Sequence, residues 1–143
     1  MKRTLFVVGV ILCAMPALAF AQAADLSAAD RGAIRTVIED QLAAFGRDDA
    51  VAAFDLASPG IQRTFGTPEQ FMRMVKTSYQ PVYRPRTVEF RDIIMVDEVP
   101  VQQVYVVGPA GESVIALYPM ERQADGGWKT AGCYLVRAPE ENV

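Results

Sequence analysis

The sequence contains no histidine. That absence removes His-based triads, imidazole general bases and nearly all zinc sites from consideration. Cysteine is scarce, with two in 143 residues, Cys13 and Cys133. Only Cys133 lies beyond the amino-terminal segment, so no disulfide is expected within the domain and Cys133 is expected to be free. Excess positive charge is also missing: 14 Lys and Arg against 17 Asp and Glu give a net charge of −3. General nucleic-acid binding needs the opposite balance, so no nucleic-acid partner is expected. Glycine-rich phosphate loops and metal-ligand spacings are absent, and no cofactor or metal is expected. No long hydrophobic run follows the first twenty residues, so no stable membrane span is expected after them.

The amino terminus carries what the remainder lacks. Lys2 and Arg3 form a positive head, residues 5–15 are uncharged and mostly apolar, and Pro16 ends the run. Ala19-Phe20-Ala21 supplies small residues at the two positions a signal peptidase reads. The apolar run is the length of a signal core and too short for a permanent bilayer span. Residues 1–21 are therefore expected to be a cleaved signal peptide, and the working protein periplasmic or secreted. Residues 22–136 read as a single domain, and 137–143, polar with Pro139, as a loose tail.

The domain divides into a helical half and a strand half. Ser27 is placed to cap a helix, with Asp30 three residues on. Ile34, Val37, Ile38, Leu42 and Phe45 follow at helical spacing. Gly46 ends that helix, and Asp48 and Asp49 can cap a short second one through Ala57. Ser58-Pro59-Gly60 reads as a break, with one more turn over 61–65 stopped by Gly66. Thr67-Pro68-Glu69 is a helix start of the usual kind: a capping hydroxyl, proline in the first turn and an acid beside it. Phe71, Met72, Val75 and Tyr79 line one face of the helix it opens. Pro81 and Pro85 predict an extended crossing over 81–85.

From Thr87 the apolar period becomes two. Strands are predicted at 87–96, 100–107, 113–121 and 128–136, joined by connections short enough to require antiparallel neighbours. Helices followed by strands indicate α+β, with the helices on one face of a meander. In the third strand Val114, Ala116, Tyr118 and Met120 alternate with Ile115 and Leu117, and in the second Val101, Tyr105 and Val107 alternate with Val104 and Val106. Both faces of the sheet are substantially apolar, where a half-wet sheet would alternate more cleanly. A twin subunit is the expected cover, giving a homodimer through the sheet face.

Several stretches resemble a known family. They are residues 57–62 (ASPGIQ), Phe65-Gly66, residues 79–85 (YQPVYRP), residues 118–123 (YPMERQ), residues 125–128 (DGGW) and Gly132-Cys133. Together they are similar to the exported bacterial family DUF4864. The order of elements, with the GRDDA stretch at 46–50 between helices and the Gly127-Trp128-Lys129-Thr130 ending, resembles the NTF2-like (SnoaL-like, cystatin-like) superfamily. That resemblance implies a cone: three N-terminal helices packed on a curved four-stranded antiparallel meander. The family carries no assigned catalytic residues, and fold does not fix function.

Charge and aromatic side chains supply the site candidates. Arg63, Arg73, Lys76, Arg84, Arg86 and Arg91 fall within residues 59–91 against only Glu69 and Glu89. Forked guanidinium groups in such a patch suit a carboxylate or phosphate. Arg84 and Arg86 flank Pro85, with Tyr83 beside them. Tyr83, Arg84, Arg86, Tyr118 and Trp128 are the candidate ligand-binding residues. For proton transfer, Asp92, Glu89 or Glu121 is a candidate base and Tyr118, Tyr105 or Tyr134 a candidate donor. Strand parity puts Tyr118 and Glu121 on opposite faces. Phe45, Phe54, Phe65, Phe71, Tyr79 and Trp128 can line a pocket or fill the core, and the core is the expectation for most. Three functions follow. The first is a non-catalytic binding module for a small, partly apolar or anionic ligand. The second is a homodimeric interaction domain with a filled cone, and the third an isomerase or lyase using carboxylate and tyrosine. The balance lies against an enzyme, and a hollow interior of roughly 300 Å³ or more separates the first from the second.

Overall fold

The computed structural model describes residues 26–139. The expected signal peptide over 1–21, the stretch to residue 25 and residues 140–143 lie outside the described residues. Helix α1 (Ala28–Gly46) opens as its sequence dictates. The Asp30 amide donates to Ser27 Oγ at 3.0 Å while the Ser27 amide donates back to the Asp30 carboxylate at 3.3 Å. This reciprocal cap satisfies two of the amides that a helix start leaves unpaired. Ile34, Ile38, Gln41, Ala44 and Phe45 form its buried stripe. Asp49 caps α2 (Ala50–Asp55), accepting from the Ala52 amide at 3.0 Å. Thr67 caps α4 (Pro68–Ser78), which buries Phe71, Met72 and Val75.

Among the described residues there are five helical segments, so the three-helix count implied by the resemblance is corrected. Both additions arise at prolines. Ser58-Pro59-Gly60 starts a helix instead of breaking the chain. The Ser58 hydroxyl accepts from the Ile61 amide at 3.4 Å, and Pro59 opens α3 (Pro59–Phe65). The expected extended crossing over 81–85 is also corrected, because α5 (Gln80–Tyr83) occupies most of it. Pro81 sits in the first turn, where its missing N–H costs nothing. Burial of Pro81 and Val82 holds the turn against the rest of the molecule.

The sheet runs β1 (Thr87–Val96), β2 (Val99–Val107) and β3 (Ser113–Arg122), all antiparallel. Asp97 and Glu98 both take positive φ, 48° and 66°, the conformation a two-residue hairpin requires. A bulge interrupts β1 between Phe90 and Ile93. The buried Gln102 side chain fills it, donating to Arg91 O at 2.7 Å. The single fourth strand predicted over 128–136 is corrected to two pieces along the same neighbour. They are β4 (Trp128–Thr130), paired with 120–122, and β5 (Tyr134–Arg137), paired with 114–117. Between them Gly132 takes a φ of 155°, which side-chain-bearing residues rarely adopt, and the ladder breaks there. The kink is anchored from outside the sheet. Thr130 N donates to Leu56 O at 3.0 Å and Ser58 N to Thr130 O at 2.8 Å. Arg137, expected to begin the tail, ends β5, and the Ala138 amide donates to Ser113 O at 3.2 Å.

The architecture is α+β, with the helices on one face of the sheet. Val104, Val106, Ala116, Tyr118 and Met120 form that face's buried stripe and share a core with Ile34, Ile38, Phe54 and Phe71. The register pairs Val104 with Ala116 and Gln102 with Tyr118, so the alternation read from the sequence fixes which side faces the helices. Ile115 and Leu117 point the other way and are half-buried. Tyr134 and Val136, their partners on β5, stand 62% and 43% exposed. Among the described residues no helix is long and apolar enough to cross a membrane.

Candidate functional site

Two cations of the basic patch, Lys76 and Arg84, are drawn together at one corner, and there they are already engaged. Asp48 follows the end of α1 with a positive φ of 55°, and three side chains converge on its carboxylate. Tyr83 donates its hydroxyl to it, Arg84 Nη2 lies 3.0 Å away and Lys76 Nζ 3.5 Å away. Arg84 also donates from Nη1 to Phe45 O at 2.7 Å, satisfying a carbonyl at the α1 C-terminus, and stacks on the Tyr83 ring at 3.9 Å. Its Nη1 hydrogens go to Phe45 O and Tyr83 O and one Nη2 hydrogen to Asp48. The Tyr83 bond holds the Asp48 carboxyl below its ordinary value, with Arg84 and Lys76 adding to the effect. The same bond raises the Tyr83 phenol. Arg91 pairs with Glu89 at 3.2 Å, and Arg63, Arg73 and Arg86 are exposed. The patch of the sequence is thus a helix clamp plus scattered surface charge.

Trp128 belongs to a second tie. Its indole N–H donates to Asp30 at 3.2 Å, and Arg122 pairs with the same carboxylate at 2.8 Å while lying over the indole at 4.4 Å. Asp30 thereby fastens the start of α1 to the β3–β4 hairpin, and the Ser27 bond chiefly lowers its carboxyl.

Tyr118 stands apart from both. It lines a cleft of about 450 Å³ between the helices and the kinked strand. The helical walls come from α1 (Gln41, Phe45), α3 (Ile61, Phe65), α4 (Phe71, Met74, Val75, Ser78) and α5 with its cap (Tyr79, Val82). The sheet side is Tyr118, Thr130, Tyr134 and the Ala131–Cys133 break. The break itself makes the space, because a continuous strand would carry side chains across it. Phe71 anchors the floor, with ring centroids 6.2 Å from Phe45, 5.6 Å from Phe54 and 5.7 Å from Phe65. Phe45, Phe54, Phe71 and Trp128 are in the buried core, as expected for most of the six aromatics, and Phe45 and Phe71 also line the cleft together with Phe65 and Tyr79.

The polar inventory of the cleft is short. Gln41 spends both amide hydrogens, on Ala53 O at 3.0 Å and Thr130 Oγ1 at 3.1 Å. Thr130 donates to Leu56 O at 3.3 Å. The Tyr118 hydroxyl is sealed from water and makes no well-formed hydrogen bond among the described residues; the group beside it is the Cys133 thiol, a weak acceptor whose interaction with the phenol is felt by both. Burial raises its phenol well above the ordinary value, so it stays protonated. Burial also pushes the Cys133 thiol up to about 12, against a smaller pull from the neighbouring Tyr118 hydroxyl. Cys133 is free, and at neutral pH it is a thiol and a poor nucleophile. No Asp, Glu, Lys or Arg lines the cleft.

The bases weighed for proton transfer do not reach the Tyr118 cleft; Glu89 pairs across the strands with Tyr105, and Asp92 lines the same outer concavity as Tyr105. Glu89, Asp92 and Glu121 are exposed and away from the cleft, and Tyr105 bonds Ser113 at 3.1 Å on the other face. A larger concavity, about 940 Å³, runs over that outer side past Arg91, Gln103, Tyr105 and Val136. Of its polar groups, Arg91 pairs with Glu89, Tyr105 bonds Ser113 and Gln103 donates to Asp92 O at 3.1 Å, while the Asp92 carboxylate and Arg137, which also line it, make no ion pair among the described residues. Among the described residues no group of three His, Cys, Asp or Glu side chains is placed to hold a metal ion.

Sequence reasoning found Tyr118 as a donor but missed Cys133, Gln41 and the α3–α4 wall as its company. The signal that could have found them was Gly132, a glycine inside a strand pattern. A family model described as a domain of unknown function, DUF4864, matches residues 27–143. No curated protein and no solved structure matches the chain.

Proposed function

The chain belongs to the DUF4864 family, whose description assigns no activity, and on that premise we propose that it is an exported, non-catalytic domain that binds a small, mainly apolar molecule in the Tyr118 cleft. The observation that carries the reading is the cleft itself. At about 450 Å³ it falls in the range of small-molecule pockets, it is aromatic and aliphatic in its walls, and its polar groups are few. The NTF2-like cone is part of the same reading: helices on one face of a meander, closing on a hollow beside a bent last strand, support it. Export rests on the amino-terminal pattern of charge, apolar run and small residues.

A thermal-shift screen of the purified protein against sterols, fatty acids and small aromatic compounds tests the binding. A fitting molecule present at a hundred times its Kd adds about 2.7 kcal/mol and raises Tm by several degrees. Silence across the whole screen overturns the reading. For export, the mass of the protein recovered from a periplasmic fraction should correspond to a chain beginning at Gln22; an intact amino terminus contradicts it.

The outer face of the sheet favours a second, compatible reading, a homodimer. Ile94, Tyr134 and Val136 are exposed there beside half-buried Ile115 and Leu117. The face carries both charges, Glu89 with Arg91 and Glu121 with Lys129, so two copies can meet without like-charge opposition. Light scattering at micromolar concentration should give twice the chain mass, and Ile94→Asp should halve it. A monomeric mass for the unaltered protein ends this reading.

A further inference from the structure

A buried hydroxyl without a partner is a cost that native proteins rarely leave standing, and each instance calls for a reason. Tyr118 is 2% exposed, and its oxygen is the buried side-chain N or O atom without a hydrogen bond among the described residues. It sits on the wall of an apolar cleft formed between helices and sheet, where ordinary packing would place phenylalanine. The Gln41 amide hydrogens go to Ala53 and Thr130 and the Thr130 hydroxyl to Leu56, and of the other polar side chains lining the cleft, Ser78, Tyr79, Tyr134 and Cys133, none makes a well-formed hydrogen bond to Tyr118 among the described residues. The lining offers no cation to neutralise an acid and no carboxylate to neutralise an amine. The cations in which the sequence suggested an anion site are held elsewhere, Arg84 and Lys76 on Asp48.

Resting on the binding reading above, we propose that the cleft selects a neutral molecule with an apolar body and one oxygen acceptor, a ketone, lactone or ester carbonyl, and that Tyr118 is the specificity-determining donor to that oxygen. A carboxylate would enter the same space with one donor and no countercharge, at a heavy desolvation cost. A pure hydrocarbon would fill the space and leave the hydroxyl unpaired. A carbonyl gives the phenol the partner that the fold withholds. The phenol remains a protonated donor across the neutral range, as its burial requires. Cys133 is the neighbour beside the hydroxyl, and the incoming oxygen reaches the phenol by turning that small side chain aside.

The test uses three probes of nearly equal shape: 4-phenylcyclohexanone, phenylcyclohexane and 4-phenylcyclohexanecarboxylate. Each is titrated into the purified protein and into Tyr118→Phe, with Kd from calorimetry. The unaltered protein should prefer the ketone to the hydrocarbon by about tenfold, the worth of one well-made buried hydrogen bond, and to the carboxylate by more. Tyr118→Phe should bind ketone and hydrocarbon alike. Cys133→Ala keeps the donor and widens its approach, so it should retain the ketone preference, and it keeps the proposal open to refutation should Tyr118→Phe not fold. Equal binding of ketone and hydrocarbon by the unaltered protein overturns the selectivity and leaves the cleft a general apolar site. A preference that survives Tyr118→Phe, or vanishes in Cys133→Ala, assigns the donor elsewhere and overturns it too. Failure of all three probes to bind overturns the proposal together with the binding reading beneath it.

Discussion

The Tyr83 hydroxyl donates to Asp48, and its ring carries Arg84 at 3.9 Å. The Tyr118 hydroxyl, among the described residues, has only the Cys133 thiol, a weak acceptor, beside it and makes no well-formed hydrogen bond. The two phenols divide the molecule into a corner where the hydroxyl is answered by a carboxylate and a cleft where it is not. At the corner, Asp48, Arg84, Lys76 and the end of α1 pair with one another, and a ligand arriving there would compete with bonds already made. In the cleft, the helices and the kinked strand enclose space, apolar walls and a donor with no task in the fold. Density of charge marks the first region as a binding site in sequence, yet satisfaction of charge identifies it as structure. The deficit of a single bond is what marks the second.

The contrast can be broken from either side. The largest effect concerns Cys133. With its thiol pushed up to about 12 against a reference of 9.0, almost none is thiolate in the folded protein at pH 8. Alkylation by iodoacetamide should be slower in the native protein than in urea by at least about a hundredfold. The same shift makes the folded state hold a proton that the unfolded chain releases. Stability should therefore fall as pH rises from about 9 toward 12. Native and unfolded rates within a few-fold of each other would mean that the cleft wall is open.

Next comes Arg84→Ala, which removes the α1 carbonyl partner and one of the ties to Asp48. It should lower unfolding free energy by about 1–2 kcal/mol in urea titration, at the scale of a charge-assisted hydrogen bond. It should leave the affinity of any cleft ligand unchanged. A loss of binding without a loss of stability would restore the anion-site reading of this arginine.

How far the sequence carried the account can be judged from the same residues. The caps at Ser27, Asp49 and Thr67 and the period-two stretches from Thr87 were visible because each depends on neighbours within three or four positions. The helix α5 was not, because a proline pair is compatible with both an extended run and a first helical turn, and burial of Val82 decides between them. Nor was the strand break, since Gly132 alone says that the ladder can bend and not that Leu56 and Ser58 hold Thr130 beside it. The site was half visible. Tyr118 was named for its face of the third strand, but Tyr83 and Arg84 were named with it because their partner, Asp48, lies 35 and 36 positions earlier and nothing local announces the pairing.

A smaller effect follows acid. Asp48 and Asp30 both have carboxyls held below 3.8, the first chiefly by Tyr83 and the second chiefly by Ser27. A depressed carboxyl contributes stability that is fully present above its unfolded value and lost as pH falls through the folded one. Tm should therefore hold from pH 7 to about 5 and decline below about 4, less steeply in Asp48→Asn. Cleft affinity measured on the folded fraction should not follow that titration, since no carboxylate lines the cleft.

The most direct measurement is the unfolding free energy of Tyr118→Phe with no ligand present. If the hydroxyl serves a ligand and not the fold, deleting it removes an unpaired buried group and the variant should be as stable as the unaltered protein, or more stable by up to about 1 kcal/mol. A loss of more than about 1 kcal/mol would show that the oxygen has a partner inside the protein, and would contradict the account of the cleft.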